Sequence, residues 1–306
     1  MTQLFLFIIF ISLFIYGMTL LRSGLFNLSG DSLKVGLAKL TSAPWKGLLA
    51  GVGITCILQS SSAVMVITIG LISARLLTFP QSIGIILGTN IGTTLTTELI
   101  TFDIDSFIVP IAILGAAFFL IEKRTIRSIG LILLGVSAVF AAMGGFEFLA
   151  GPLTSIDFIN NLLLSLDGSH FYSIAAGTLI TAVIQSSTAT TGIIMGLLTG
   201  EAINLDTGIA IMLGSNIGTC VTAFLASIGA GREARLSAFA HIWLNIIGVI
   251  AFYPFIHSLE TIGLQLASEA DVQLAHISVL FNVISSLLVL PFAVPFGKLI
   301  IKMHDR

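Results

Sequence analysis

Two short runs of hydrogen-bonding side chains interrupt an otherwise apolar sequence: Gln59, Ser60, Ser61 and Ser62, then Gln185, Ser186, Ser187 and Thr188. Each glutamine is followed 31 positions later by the asparagine of an Asn-Ile-Gly-Thr element. That brings Thr89, Asn90, Thr93 and Thr94 behind the first run, and Ser215, Asn216 and Thr219 behind the second. Hydroxyls and carboxamides both donate and accept hydrogen bonds. Such a set can donate to an oxyanion and accept, through oxygen, around a hard cation. Thr89, Thr93 and Thr97 recur every fourth residue and share one helix face. The pattern suits binding rather than bond-breaking. A hydrolase built on one of these serines and His241 needs a base for each serine; the serines are duplicated without one, and no Gly-x-Ser-x-Gly elbow occurs. No Lys or Arg falls near the centre of any apolar stretch. An anion bound there lacks a fixed counter-charge, so Na+ shared among the same hydroxyl and amide residues is the expected compensation. No other cofactor, no catalytic residue and no enzymatic activity is expected.

The elements that carry these residues follow from composition. Of 306 residues 56% are hydrophobic and 9% charged, against about 25% charged in soluble domains. So few charges cannot cover so apolar a core in water, and the chain reads as an all-α polytopic membrane protein in a lipid bilayer. A net charge of −2 gives no reason to expect nucleic acid as a partner. Cys56 and Cys220 both sit in apolar segments and read as small buried hydrophobes. The N-terminus lacks a basic region and a cleavage site, so it reads as a retained first span.

Apolar stretches run over 3–21, 47–74, 76–97, 106–121, 128–146, 168–200, 207–231, 236–259 and 272–297. A span needs about 20 residues. Stretches 47–74 and 168–200 are too long for one span and too short for two, and both are polar near the middle. Each reads as a re-entrant hairpin of two half-helices with its polar run at the tip. Half-helix N-termini at such tips favour anions. The basic connections (Arg22 to Lys46, Arg75, Lys123 to Arg127, Arg232 and Arg235, Lys298 to Arg306) alternate with acidic ones lacking Lys or Arg. The positive-inside rule is then satisfied by seven spans plus two hairpins entering from opposite faces, N-terminus outside and C-terminus cytoplasmic. Segment 22–46 is expected along the interface with Trp45 as anchor. Glu98 and Glu147 are expected to be solvated, and Arg75 to anchor topology. His241 and Asn245, one turn apart in a span, are either functional or a helix-to-helix hydrogen bond.

Segments 51–97 and 177–223 align without a gap at an offset of 126, with 19 identities in 47 positions. Gly51/Gly177, Gln59/Gln185, Gly88/Gly214 and Asn90/Asn216 are among them. The glycines imply close helix packing, or a local break around Asn90. Each repeat holds an odd number of spans, so the two are expected to be inverted. The expected organisation is one transport domain over 1–306: repeat 1 over 1–127 with hairpin 47–74, repeat 2 over 128–259 with hairpin 168–200, and an additional C-terminal span over 272–297.

Duplicated QSSS and QSST, each followed by GTNIGTT or GSNIGTC, resemble the sodium-dependent phosphate cotransporter family (type II Na+/Pi symporters) in its short bacterial form without the PhoU-like domain. The resemblance covers roughly 12–292 and includes LFIYGMTLLRSGL (13–25). AHIWLN (240–245) and AHISVLFN (275–282) look like two copies of one element, with Ser278 standing where the first copy has His241. The resemblance implies sodium-coupled symport of inorganic phosphate at the cell membrane by alternating access. It places substrate and Na+ between the two tips, with the hairpins moving against a static part. A Na+-coupled carrier of another small anion and a non-transporting membrane sensor are the alternatives. Self-association as a homo-oligomer is left open by the sequence.

Overall fold

The computed structural model describes residues 2–29 and 43–304. Among them the chain is helical throughout its regular structure, with no strand. The α-helices are α1 (Thr2–Ser29), α2 (Pro44–Leu58), α3 (Ser61–Ser73), α4 (Phe79–Leu99), α5 (Ile108–Phe119), α6 (Arg124–Thr154) and α7 (Asp157–Asp167). They continue with α8 (His170–Ile184), α9 (Ser187–Thr199), α10 (Leu205–Ser227), α11 (Arg232–Phe252), α12 (Ile256–Leu266), α13 (Ala270–Val289) and α14 (Ala293–His304). Among the described residues five helical segments are long and apolar enough to cross a membrane: α1, α6, α10, Arg232–Leu266 and Ala270–His304. The seven-span expectation also counted α4, which has the length but carries too many Thr, Ser and Asn, and Asp105–Phe119, which is short.

Small residues decide how the long helices meet. On α1, a Cβ at Gly17 would lie 2.9 Å from the Ala138 Cβ, and one at Gly24 would lie 2.6 Å from the Ser128 carbonyl. The contact therefore runs antiparallel to α6, along nearly the whole of α1. That packing keeps α1 helical to Ser29, which corrects the start of the expected interfacial segment 22–46; residues 30–42 lie outside the described residues. Trp45 is exposed in the first turn of α2.

A Cβ on Gly84 would overlap the Pro44 carbonyl, one on Gly88 the Leu48 carbonyl, and one on Gly92 would lie 2.6 Å from the Thr55 Cβ. Later residues of α4 thus meet later residues of α2, and the two helices are parallel. The chain reaches that arrangement only by running back through α3, so α4 begins level with the start of α2. The same contacts recur 126 positions on: Gly214 against the Ile174 carbonyl, and Gly218 2.7 Å from the Thr181 Cβ. Thus α8 and α10 are parallel and α9 is the return. The glycines serve this close approach, and α4 is unbroken at Asn90, contrary to the alternative of a local break there.

Cross-links between the units fix their relative direction. The Phe79 N–H donates to the Glu233 carboxylate at 3.0 Å, the Ser82 and Ser237 hydroxyls pair at 2.8 Å, and Asn90 Nδ2 donates to Asn245 Oδ1 at 3.1 Å. So α4 and α11 are parallel. Cys220 Sγ donates to the His241 carbonyl at 3.5 Å, and Phe224 meets Phe239 with centroids 6.0 Å apart. So α11 is antiparallel to α10, and the sequence-equivalent helices α4 and α10 run in opposite directions.

The last four helices form a second pair. α11 and α13 each end in a short 3-10 turn holding a proline, Tyr253–Phe255 with Pro254 and Leu290–Phe292 with Pro291. The prolines lie 37 apart, as do His241 and Ser278, and Asn245 and Asn282. While α11 packs on α10, α13 packs on α4 through the Ser286 hydroxyl, which donates to the Leu87 carbonyl at 3.0 Å.

Candidate functional site

Both polar runs sit where a helix stops and another starts. α2 ends at Gln59 with φ 51° and ψ 33°, and α8 ends at Gln185 with φ 57° and ψ 29°. A left-handed conformation at a non-glycine residue carries strain, and here the same strain recurs at equivalent positions. Ser60 and Ser186 follow in extended backbone and act as N-caps: Ser60 Oγ accepts from the Ala63 N–H and Ser186 Oγ from the Ala189 N–H, both at 3.2 Å. The first N–H groups of α3 and α9 have no intrahelical acceptor, so each break presents the positive end of a helix. The far ends match too. Arg75 (φ 58°) and Glu201 (φ 55°) stand just past the ends of α3 and α9, and the next N–H reaches back to Leu71 or Leu197 at 2.8 Å.

The first break is held by a side chain the sequence pattern did not single out. Arg22 Nε donates to the Gln59 carbonyl at 2.9 Å. Because α1 continues past position 21, Arg22 lies inside a helix, half-buried, and its charge reaches the tip. This corrects the expectation that the polar centre holds no fixed cation. Among the described residues no carboxylate offsets Arg22. The position 126 further on is Phe148, which is exposed, so the second tip has no equivalent cation. The tips differ in burial as well. Gln59, Ser60 and Ser61 are buried and Ser62 half-buried, whereas Gln185 is exposed, Ser186 and Ser187 are half-buried and Thr188 is buried.

The expected ligands divide into occupied and unoccupied oxygens. Thr89, Thr93, Thr94, Ser215 and Thr219 donate to carbonyls of their own helices at 2.7–2.9 Å, which uses their protons but leaves acceptor lone pairs. Asn216 Nδ2 likewise bonds the Met212 carbonyl at 3.0 Å. Among the described residues the buried oxygens with no partner are Thr55 Oγ1, Gln59 Oε1, Thr96 Oγ1, Thr207 Oγ1, Thr222 Oγ1 and Asn282 Oδ1, of which Thr55, Gln59, Thr96 and Thr222 lie on the repeated segments 51–97 and 177–223 outside the first turn of a helix. Thr181, the equivalent of Thr55, has a partner, because its hydroxyl donates to Thr190 at 2.8 Å; position 64 is Val where position 190 is Thr. Thr96 and Thr222 are themselves an offset-126 pair, the signal that would have found them. A cavity of about 490 Å³ reaches Gln59 and Thr96, but Met18, Leu21, Val139 and Phe140 make its wall apolar, so it suits a hydrocarbon better than an anion. No hydrogen bond among the described residues joins 59–62 directly to 185–188; instead α3 packs on α10, and α9 on α4.

The His241–Asn245 pair resolves as a structural hub with one loose end. Asn245 Nδ2 donates to the His241 carbonyl at 2.9 Å and to Cys220 Sγ at 3.3 Å, while its Oδ1 takes the bond from Asn90. The His241 ring is buried, and neither of its nitrogens has a partner. Glu98, expected in solvent, is instead half-buried and 2.9 Å from His276 Nδ1 on α13. Glu147 is exposed, as expected.

Comparison with known proteins identifies the family. The sequence matches the Na+/Pi-cotransporter family over residues 13–147 and 154–285. It is 38% identical to the uncharacterized protein YqeW of Bacillus subtilis (strain 168), over 94% of both chains. It is 25% identical, over 94% of its length, to YjbB of Escherichia coli (strain K12), a protein provisionally named for inorganic phosphate export; it spans 53% of that protein. Over 88 residues, 28% of this chain and 14% of the relative, it is 36% identical to the sodium-dependent phosphate transport protein 2A of Ovis aries. No solved structure matches. With the family matched across both repeats and helices of membrane-spanning length, this is a multi-pass membrane protein that belongs to the Na+/Pi-cotransporter family.

Proposed function

We propose that the protein moves inorganic phosphate across the cell membrane coupled to Na+, and that the two Gln-Ser-Ser breaks are the tips of re-entrant hairpins in two inverted repeats. The observation that carries this reading is the pair of identical helix breaks at Gln59–Ser60 and Gln185–Ser186, on units whose long helices α4 and α10 run in opposite directions. The opposed charges at Arg75 and Glu201 fit tips entering from opposite faces, Arg75 on the cytoplasmic side. Phosphate binds at the α3 N-terminus with Ser60, Ser61 and Ser62, next to the Arg22 guanidinium, whose remaining N–H groups suit an oxyanion. Na+ takes acceptor oxygens lacking partners, Thr55, Gln59 and Thr96 at the first tip. Thr222 serves beside Gln185, Ser186, Ser187 and Thr188 at the second. With Arg22 in place, Na+ is no longer the sole compensation for the anion; it adds the charge that lets a dianion enter a low-dielectric centre.

The test is ³²P-phosphate flux in proteoliposomes. An imposed Na+ gradient should drive accumulation in the direction of the gradient, replacement of Na+ by choline should abolish it, and excess unlabelled phosphate should compete better than sulfate or a carboxylate. Flux indifferent to Na+ rejects the coupling, and preferential competition by another anion rejects the substrate.

A further inference from the structure

Away from the tips, four side chains that bind metals elsewhere in protein chemistry converge at one end of the molecule. His170 opens α8, Asp206 lies in the first turn of α10, and His257 and Glu260 stand one turn apart on α12. His170 Nε2 is 3.0 Å from Asp206 Oδ2, and His257 Nδ1 is 3.0 Å from Glu260 Oε2. The two imidazole rings meet edge to face with centroids 6.2 Å apart. One ligand atom from each of Asp206, His257 and Glu260 lies within 4.8 Å of the other two.

We propose that Asp206, His257 and Glu260 form a binding site for a borderline divalent transition metal of the zinc class. Atoms that share one ion at about 2.0–2.2 Å stand roughly 3–4 Å apart, so the three need close by about 1–2 Å at most. Spacing i, i+3 puts His257 and Glu260 on one helix face, the arrangement by which helices commonly present a histidine and a carboxylate to a metal. One imidazole nitrogen with two carboxylate oxygens suits Zn2+ over Mg2+ or Ca2+, which take oxygen alone. His170 then holds the Asp206 carboxylate from behind, as outer partners of metal-bound carboxylates do. The cation also offsets two carboxylates brought together. The fourth position is left to water, since His257 is 81% exposed.

The site is separate from the phosphate reading. His170 begins the helix that ends at Gln185, so the metal lies roughly 20 Å from the second tip at 1.5 Å per residue. Its occupancy ties the start of α8, through Asp206, to α12.

The test is calorimetric titration of the purified chain, freed of any polyhistidine tag and stripped with EDTA, without Na+ or phosphate. One saturable Zn2+ site per chain is expected, left empty by Mg2+ and Ca2+. His257→Ala and Glu260→Gln should each weaken it at least about tenfold, and His170→Ala by about tenfold, with unchanged elution on size exclusion showing that the variants fold. Absence of saturable Zn2+ binding, or binding unchanged in the His257→Ala/Glu260→Gln double variant, overturns the site while leaving the transport reading untouched.

Discussion

Arg22 Nε donates to the Gln59 carbonyl at 2.9 Å, so a charged side chain on α1 pins the chain reversal 37 residues later. That bond spends one N–H of five and one side of a planar fork. A guanidinium without a carboxylate partner, beside a helix N-terminus and a serine N-cap, is poised for an anion. Arg22→Ala removes both the pin and the charge. Phosphate-dependence of flux should show KM raised about 10–100-fold, the span of a charge-assisted hydrogen bond. Arg22→Lys keeps charge but loses the fork, and should recover part of the affinity. An unchanged KM in Arg22→Ala would remove Arg22 from the site.

Equivalent serines should not be equivalent in effect. Ser60 and Ser186 cap α3 and α9 with the same 3.2 Å bond, and loss of such a cap costs about 0.5–2 kcal/mol. Ser60 is buried and directly follows Gln59, whose carbonyl Arg22 holds, whereas Ser186 is half-buried next to an exposed Gln185. Ser60→Ala is therefore expected to raise the KM for phosphate more than Ser186→Ala, by at least about threefold, a difference of roughly 0.7 kcal/mol within the range of one cap. Equal effects of the two substitutions in the same flux assay would show that the tips contribute alike.

The sequence already carried the repeat, because an offset of 126 without a gap fixes which residues are equivalent. It also carried the position of both breaks, because four polar residues in an apolar run mark where helix packing gives way. Arg22 was not legible. A charge at the edge of a hydrophobic window looks like the end of a span, and only the Gly17 and Gly24 contacts with α6 show that α1 continues beyond it. Glu98 was misread for the same reason: its partner His276 is 178 residues away, and long-range pairing leaves no local pattern. The threonines Thr55, Thr96 and Thr222 were hidden in plain view. The offset of 126 pairs Thr96 with Thr222, but it does not report that their oxygens and that of Thr55 lack partners.

The parallel packing of α2 on α4, and of α8 on α10, depends on the absence of side chains at Gly88 and Gly214. A Cβ at either overlaps a backbone carbonyl, Leu48 or Ile174, which cannot move as a flexible side chain can. Gly88→Ala and Gly214→Ala should each lower stability by about 1–3 kcal/mol, the usual cost of overpacking. Gly53 supplies the control. It lies on α2, and nothing stands within 4 Å of its would-be Cβ. Gly53→Ala should raise stability by about 0.5–1 kcal/mol, from helix propensity alone. Thermal melting of the purified proteins in one detergent compares the three directly. A melting point for Gly214→Ala at or above that of the parent would contradict the helix contact.

Asn245 joins three helices, since its amide donates to Cys220 on α10 while its oxygen accepts from Asn90 on α4. Replacing it with Leu leaves the half-buried Asn90 amide without its acceptor, at a cost of up to about 1–3 kcal/mol. Replacing both removes donor and acceptor together, which is far less costly than orphaning one of them. The Asn90→Leu/Asn245→Leu double variant should therefore melt higher than the sum of the single changes predicts, with a coupling of about 1 kcal/mol. Phosphate flux in the same set separates fold from function. If Asn90 serves the site beyond its bond to Asn245, the double variant regains stability but not transport. If the two asparagines only hold α4 against α11, both return together. Strictly additive melting effects would mean that the 3.1 Å bond contributes nothing to the stability of the folded chain.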